Sequence, residues 1–221
     1  MRHWVLTVAL VLAGLVQEPQ VRLSLVDAAS GHVMTFAQAL AQRGIAGGVI
    51  ISEAAYGGPR SPVTPETGPP KGTLENALER FNGSQRRVTA APGAIGVLIR
   101  GDDVPAHVDR ALREARLVDD FEGPAWRAIF ESAGGLLRMS ATQTHGYIGS
   151  GAVPSSGCPF EAPVKIARGT KAVTQILDEI VTQAPGLVWL ITYAPAAREG
   201  KLKIGYVCPD GVTQRVSVPG W

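Results

Sequence analysis

The stretch that decides the fold is 169–193, GTKAVTQILDEIVTQAPGLVWLITY, in which a helix pattern is followed directly by a strand pattern. Its first half carries apolar residues at the spacing of one helix face, namely Val173, Ile176, Leu177, Ile180 and Val181. Ala184-Pro185-Gly186 ends that pattern, and 187–193 is rich in the β-branched and aromatic residues typical of strands. The stretch therefore predicts an amphipathic helix, starting at Gly169-Thr170, that packs on a sheet.

A helix followed by a strand recurs near residues 34, 72 and 169. In the first copy Thr35 is the predicted N-cap, Gly44 the C-terminal cap, and 48–52 the strand. In the second copy Gly72-Thr73 opens the helix, and two strands are predicted at 87–91 and 94–100. The uneven spacing of the copies excludes a solenoid. We predict an α+β fold with amphipathic helices packed on antiparallel or mixed sheets.

The remaining segments complete this prediction. Residues 21–26 alternate apolar and polar side chains, which predicts a strand, and 102–135 has a helical pattern opened by Pro105 and again by Pro124. Residues 201–208 and 212–218 are typical of a closing hairpin, and the loop at 56–72 is rich in proline and glycine.

Two domain organisations are compatible with these elements. The chain either forms one continuous domain or divides into two lobes. In the second case, 20–100 is an α+β lobe and 102–221 is a helical segment followed by a C-terminal α+β lobe.

The N-terminus has the layout of a secretory signal peptide at 1–17. Arg2 and His3 precede a largely apolar run from Trp4 to Val16. As a helix, this run would cover about 20 Å, which is shorter than the ~30 Å hydrocarbon core of a bilayer. We predict a periplasmic or secreted protein without a membrane span in the mature chain, with an uncleaved N-terminal anchor as the alternative.

The composition is that of a globular protein, with 45% apolar and 18% charged residues. Without Arg2, 20 basic side chains stand against 19 acidic ones, a net charge of +1. Such a balance provides no electrostatic field that would attract nucleic acid or an anionic membrane. We therefore predict neither a nucleic-acid partner nor a membrane partner, and the oligomeric state stays open.

The two cysteines, Cys158 and Cys208, both lie in turn-like settings near proline. An exported protein meets an oxidising compartment, so a Cys158–Cys208 disulfide is the simplest interpretation. Closing a loop of about 50 residues would contribute about 4 kcal/mol in the chain-entropy model. The alternatives are a buried, reduced pair, or a catalytic thiol at Cys158 assisted by His145.

No cofactor or metal site is predicted. The four histidines are not spaced i, i+2 or i, i+4, and no H-E-x-x-H motif is present. Gly149-Ser150-Gly151 does not extend to a dinucleotide-binding pattern and lacks the G-x-S-x-G elbow of a serine nucleophile. His145 is the histidine that we would test as a catalytic residue.

The stretch 21–100 resembles the secretin and TonB short N-terminal (STN) domain, a small periplasmic α+β module. The residues that carry the resemblance are Phe36, Ala39, Leu40, Val49-Ile50-Ile51, the helix start Gly72-Thr73-Leu74-Glu75-Asn76-Ala77-Leu78, and Gly96-Val97-Leu98-Ile99-Arg100. They match the family's order of helix, strand, helix and hairpin. The resemblance implies a periplasmic interaction domain and carries over no catalytic residues.

We therefore predict an exported, non-enzymatic protein that makes protein contacts in the cell envelope through sheet edges and the loop at 56–72. The alternative is an envelope hydrolase that uses residues of the loop at 143–158, among them His145 and Cys158.

Overall fold

The computed structural model describes residues 22–58, 72–132, 157–194, 202–211 and 213–217. The predicted α+β class, with helices packed on a mixed sheet, is confirmed. The helices are α1 (Leu25–Ala29), α2 (Val33–Gln42), α3 (Glu53–Tyr56), α4 (Leu74–Ser84), α5 (Ala106–Arg113), α6 (Ala125–Ser132) and α7 (Val173–Gln183). The strands are β1 (Gly47–Ser52), β2 (Val88–Pro92), β3 (Val97–Gly101), β4 (Ala115–Val118), β5 (Phe121–Pro124), β6 (Pro163–Ile166), β7 (Gly169–Ala172), β8 (Val188–Tyr193), β9 (Lys203–Val207) and β10 (Thr213–Ser217).

The central sheet has six strands in the order β10-β9-β8-β1-β3-β2. β1 runs parallel to both of its neighbours, β8 and β3, and the remaining pairs are antiparallel. Every residue of β1 and of β8 is buried. Such apolar strands belong at the centre of a sheet that helices cover on both faces, which is where β1 and β8 lie.

Helices cover both faces of this sheet. On one face α1, α2 and α4 form a core in which the rings of Phe36 and Phe81 stack with centroids 4.8 Å apart. On the opposite face α5, α6 and α7 pack against the sheet. Successive strand residues point to opposite faces, so Val49 and Ile51 of β1 enter the first core and Ile50 enters the second.

The sheet combines strands from both halves of the chain. β1, β2 and β3 lie before residue 102, and β8, β9 and β10 lie after residue 187. Because β8 is hydrogen-bonded to β1, the strands of the two predicted lobes form one continuous sheet.

The predicted strand at 21–26 is wrong, because α1 begins at Leu25 and Leu23 forms only an isolated bridge. Ser24 caps this helix, since its Oγ accepts a hydrogen bond from the N–H of Asp27 at 3.3 Å. A five-residue helix is too short to show its period against the alternating pattern before it.

The helical prediction for 102–135 is correct for α5 and α6 and wrong between them, where β4 and β5 lie. β4 pairs with β7 and β5 pairs with β6, both antiparallel. β7 also occupies the predicted start of the third helix, so α7 begins at Val173 instead of Gly169. These four-residue segments form strands because they pair with other strands about 50 residues away in the sequence.

The predicted caps are correct in two of three cases. Thr73 caps α4 through a bond from the N–H of Asn76 to its Oγ1, at 3.2 Å, and Gly44 follows α2 with φ 64°. Thr35 is not the cap of α2, because His32 Nδ1 accepts a bond from the N–H of Met34 at 3.2 Å.

The longest described helices have eleven residues. Within the described ranges, none has the length and hydropathy that a bilayer span requires. The predicted signal peptide at 1–17 and residues 59–71 of the loop at 56–72 lie outside these ranges.

Candidate functional site

The two cysteines form a disulfide in the structure. Cys158 precedes the short 3-10 helix Pro159–Glu161, Cys208 directly follows β9, and their Cα atoms are 5.3 Å apart. Both side chains are buried. A disulfide is compatible with an exported protein, and a bonded Cys158 has no thiolate to act as the nucleophile of the hydrolase alternative. His145 and residues 143–156 of the candidate loop lie outside the described residues.

β2 forms one edge of the central sheet, and its hydrogen-bonding pattern shows which main-chain groups face outward. Gly93 N–H donates to Gly96 O, and Asp102 N–H donates to Arg87 O, so the odd-numbered residues of β2 are bonded to β3. The main-chain groups of β2 that face away from β3 are therefore those of Val88, Ala90 and Pro92.

The side-chain amide of Asn82, on α4, covers the middle of this edge. Its Oδ1 accepts a bond from the N–H of Ala90 at 2.8 Å, and its Nδ2 donates to the carbonyl oxygen of Ala90 at 2.8 Å. Asn82 thus makes the two bonds that a neighbouring strand would make. Pro92 has no N–H to donate. The β2 edge is consequently protected against the addition of a strand.

β10 forms the opposite edge, and no described strand pairs with its outer side. No described side chain bonds to the β10 main chain in the manner of Asn82 at β2. The unpaired main-chain groups of an edge strand form a template on which an extended segment of another protein can add as a further strand. Of the two sheet edges, β10 is therefore the candidate interaction site.

An ion cluster holds the β9–β10 hairpin against the end of β1. The Glu53 carboxylate accepts bonds from Arg215 Nη1 at 2.9 and 3.1 Å and from Thr192 Oγ1 at 2.5 Å, and Lys203 Nζ lies 3.4 Å away. The ring of Tyr56 lies 3.5 Å from the guanidinium carbon of Arg215, a cation–π contact. The cluster therefore fixes the position of the edge strand β10.

The electrostatics of this cluster favour the charged carboxylate. Burial alone would raise the pKa of Glu53, but the hydrogen bonds from Thr192 and Arg215 and the positive charges of Arg215 and Lys203 together lower it below its ordinary value. Glu53 is therefore ionised at neutral pH and serves as the anchor for two cations.

The cluster also occupies the position where the strand order reverses. From β1 the chain passes to β3 on one side and then returns to β8 on the other side of β1. In open sheets with parallel strands, ligands commonly bind outside the carboxyl ends of the strands at such a point. Here Glu53, Thr192 and Arg215 fill it with a satisfied ion network, which indicates a structural role for these three residues.

Asn82, Glu53 and Arg215 are not among the site residues that the sequence predicts. Glu53 and Arg215 are 162 residues apart, so no local spacing relates them. A signal for Glu53 was present, because an acidic residue directly follows a fully buried strand. Asn82 lies within a helix, where its sequence context indicates only the helix end.

In the described part of the chain, no group of three or more histidine, cysteine, aspartate or glutamate side chains is placed to hold a metal ion. Comparisons of the chain with protein families, curated proteins and solved structures find no match. The site is therefore interpreted from its geometry alone.

Proposed function

We propose that this protein is an exported, non-enzymatic interaction protein that binds a partner of the cell envelope along the β10 edge. The partner contributes an extended segment that pairs with Thr213–Ser217 as a seventh strand of the central sheet. The contrast between the two edges carries this proposal, since Asn82 and Pro92 protect β2 and no described residue protects β10.

The disulfide between Cys158 and Cys208 supports the exported location, because structural disulfides persist in oxidising compartments. We place the protein in the periplasm or the secreted fraction, where a leader at 1–17 would direct it. The bond ties the segment before β6 to the end of β9, and this braces the hairpin that carries the binding edge.

We also propose that the N-terminal part of the chain is an STN-like module. Its described elements occur in the order that the resemblance implies, with α2, β1 and α4 followed by the hairpin β2–β3. The STN resemblance implies a protein-interaction domain and carries over no catalytic residue. This proposal therefore gives the N-terminal part a role in protein interaction.

Site-specific photo-crosslinking tests the binding edge. A photoreactive residue is placed at Ser217 on β10 or at Thr89, an exposed residue of the protected strand β2, in the full chain expressed in cells that export it. We expect a cross-link to one protein from Ser217 and none from Thr89. In the purified complex, the amides of β10 should gain protection from hydrogen exchange, while those of β2 should not.

Alanine substitution at two glycines provides a test variant and its matched control. An ideal Cβ at Gly205 would lie 1.7 Å from the carbonyl oxygen of Gln214, so Gly205→Ala should displace β10 from β9 and abolish the cross-link. Gly169→Ala should leave it intact, because the nearest atom to that Cβ is Lys171 Cε at 3.9 Å. Equal cross-linking from Ser217 and Thr89, or no gain in β10 protection, would refute the proposal.

A further inference from the structure

A groove of about 300 Å³ lies on the face of the sheet that α5 and α7 cover. It lies over β1 and β3, and Ile50 and Leu98 form an apolar floor. Gly48 of β1 also lines the groove, and the indole of Trp189 occupies the place that a Gly48 side chain would take. This groove is separate from the β10 edge and from the Glu53 cluster.

The rim of the groove carries an exposed apolar side chain. Ile95, in the turn between β2 and β3, is 40% exposed, and among the described residues it is the only large apolar side chain in the exposed class. An exposed apolar side chain at the mouth of a groove with an apolar floor indicates that the groove accepts an apolar group.

One wall of the groove carries a negative pole. Trp189 Nε1 donates to Asp178 Oδ1 at 2.9 Å, and Asp178 Oδ2 has no hydrogen-bond or ion-pair partner among the described residues. Burial raises the pKa of Asp178, and the bond from Trp189 only partly opposes this effect. A partly buried carboxylate without a charged partner gains more electrostatic stabilisation from a bound cation than a carboxylate that already has such a partner.

The opposite wall, on α5 and β3, carries a positive pole. Asp109 accepts a bond from Arg100 Nη1 on one oxygen and lies 2.7 Å from Arg113 Nη2 on the other. The three side chains together carry one net positive charge. The Arg113 side chain is 70% exposed, and its remaining donors have no partner among the described residues. An arginine held in this way is suited to bind a carboxylate.

We propose that the groove binds a small zwitterion with an apolar body, of the class of free amino acids and dipeptides. The ammonium group of the ligand donates to Asp178 Oδ2, its carboxylate accepts from Arg113, and its apolar part rests on Ile50 and Leu98. Free amino acids and dipeptides share this chemistry and differ in the separation of their charges. The inference does not rest on the proposed protein-binding function, because it uses a different surface.

Titration calorimetry of the folded chain tests the inference with L-leucine and L-leucyl-L-leucine as probes. Whichever binds more tightly identifies the separation of charges that the groove accepts. Trp189 fluorescence provides a second readout, because its indole lines the groove. We expect 3-methylbutylamine, which lacks the carboxylate, and 4-methylpentanoate, which lacks the ammonium group, to bind at least about 10-fold more weakly than the better zwitterion.

Two variants test which side chain binds each charged group of the ligand. Asp178→Asn keeps an oxygen acceptor for Trp189, removes a partly buried charge, and should weaken zwitterion binding at least about 10-fold without affecting 4-methylpentanoate. Arg113→Met should weaken zwitterion binding similarly without affecting 3-methylbutylamine. Arg110→Met, an exposed arginine of the same helix that does not line the groove, is the matched control and should bind as the wild type does.

Circular dichroism and thermal unfolding verify that each variant is folded. The inference is overturned if neither zwitterion gives a saturable signal up to about 10 mM. It is also overturned if the singly charged analogues bind as tightly as the zwitterions, or if folded Asp178→Asn binds them unchanged. Failure here would leave the cross-linking result at β10 unaffected, so the two proposals fail separately.

Discussion

Gly48→Ala tests the packing of the central sheet against α7. Gly48 lies in β1 directly beneath the indole of Trp189, and an ideal Cβ there would lie 1.9 Å from Trp189 Cζ2 and 2.0 Å from Cε2. Carbon atoms in contact are normally about 3.5–4.0 Å apart, so the ring would have to move by roughly 1.5–2 Å. Trp189 is 1% exposed and cannot move into solvent.

The expected loss of stability follows from three contributions. Overpacking of a core typically costs about 1–3 kcal/mol. Displacing the ring also breaks its 2.9 Å bond to Asp178, and a hydrogen bond to a charged group contributes about 1.5–3 kcal/mol. The lower entropy of the unfolded alanine chain offsets about 0.4–1 kcal/mol. We expect a net decrease in the free energy of unfolding of about 2–5 kcal/mol.

Urea denaturation followed by far-UV circular dichroism measures this difference, and thermal unfolding should show a fall in Tm of roughly 4–20 °C. Gly83→Ala is the matched control, because a Cβ at this exposed position of α4 meets no atom within 4 Å. The control should be neutral or stabilising by up to about 1 kcal/mol. A Gly48→Ala chain within about 0.5 kcal/mol of the wild type would refute the packing of Trp189 on β1.

Three further perturbations test the disulfide, the protected edge and the ion cluster. Replacing both Cys158 and Cys208 by alanine should lower the free energy of unfolding by about 2–4 kcal/mol in urea, and an unchanged midpoint would contradict a stabilising bond. Asn82→Ala should cost about 1–3 kcal/mol and increase self-association in analytical ultracentrifugation, because it uncovers the β2 edge; a strictly monomeric variant at high concentration would contradict the protective role. Glu53→Gln should cost about 1–3 kcal/mol at pH 7. Because the folded pKa of Glu53 is lowered, the carboxylate's contribution is present above its unfolded pKa of about 4.3 and is lost as pH falls through the folded value. The difference from wild type in urea denaturation should therefore shrink below about pH 4.5. Glu79→Gln, at an exposed position of α4, is the matched control and should stay close to the wild type in free energy of unfolding at pH 7.

The sequence by itself determined the elements whose signals are local. A helix period, a cap and a helix stop act within about four residues, which is why α7, Thr73 and Gly44 could be predicted. The apolar runs of β1 and β8 likewise indicated buried strands before any partner was known. Local signals failed where the element was very short, as at α1, β4 and β7, since four or five residues do not complete a distinguishing period.

Only the tertiary structure decided which strands are neighbours and therefore where the sites lie. The pairing of β8 with β1 brings together residues about 140 positions apart, and with it the Glu53 cluster. The groove likewise needs α5, α7 and the neighbouring strands β1 and β3 in one place. Such contacts depend on strand order and on the packing of helices across a sheet, and no spacing within the chain encodes them. In the longer elements, the periodicity of the sequence thus indicated which face is buried, while long-range pairing decided what that face meets.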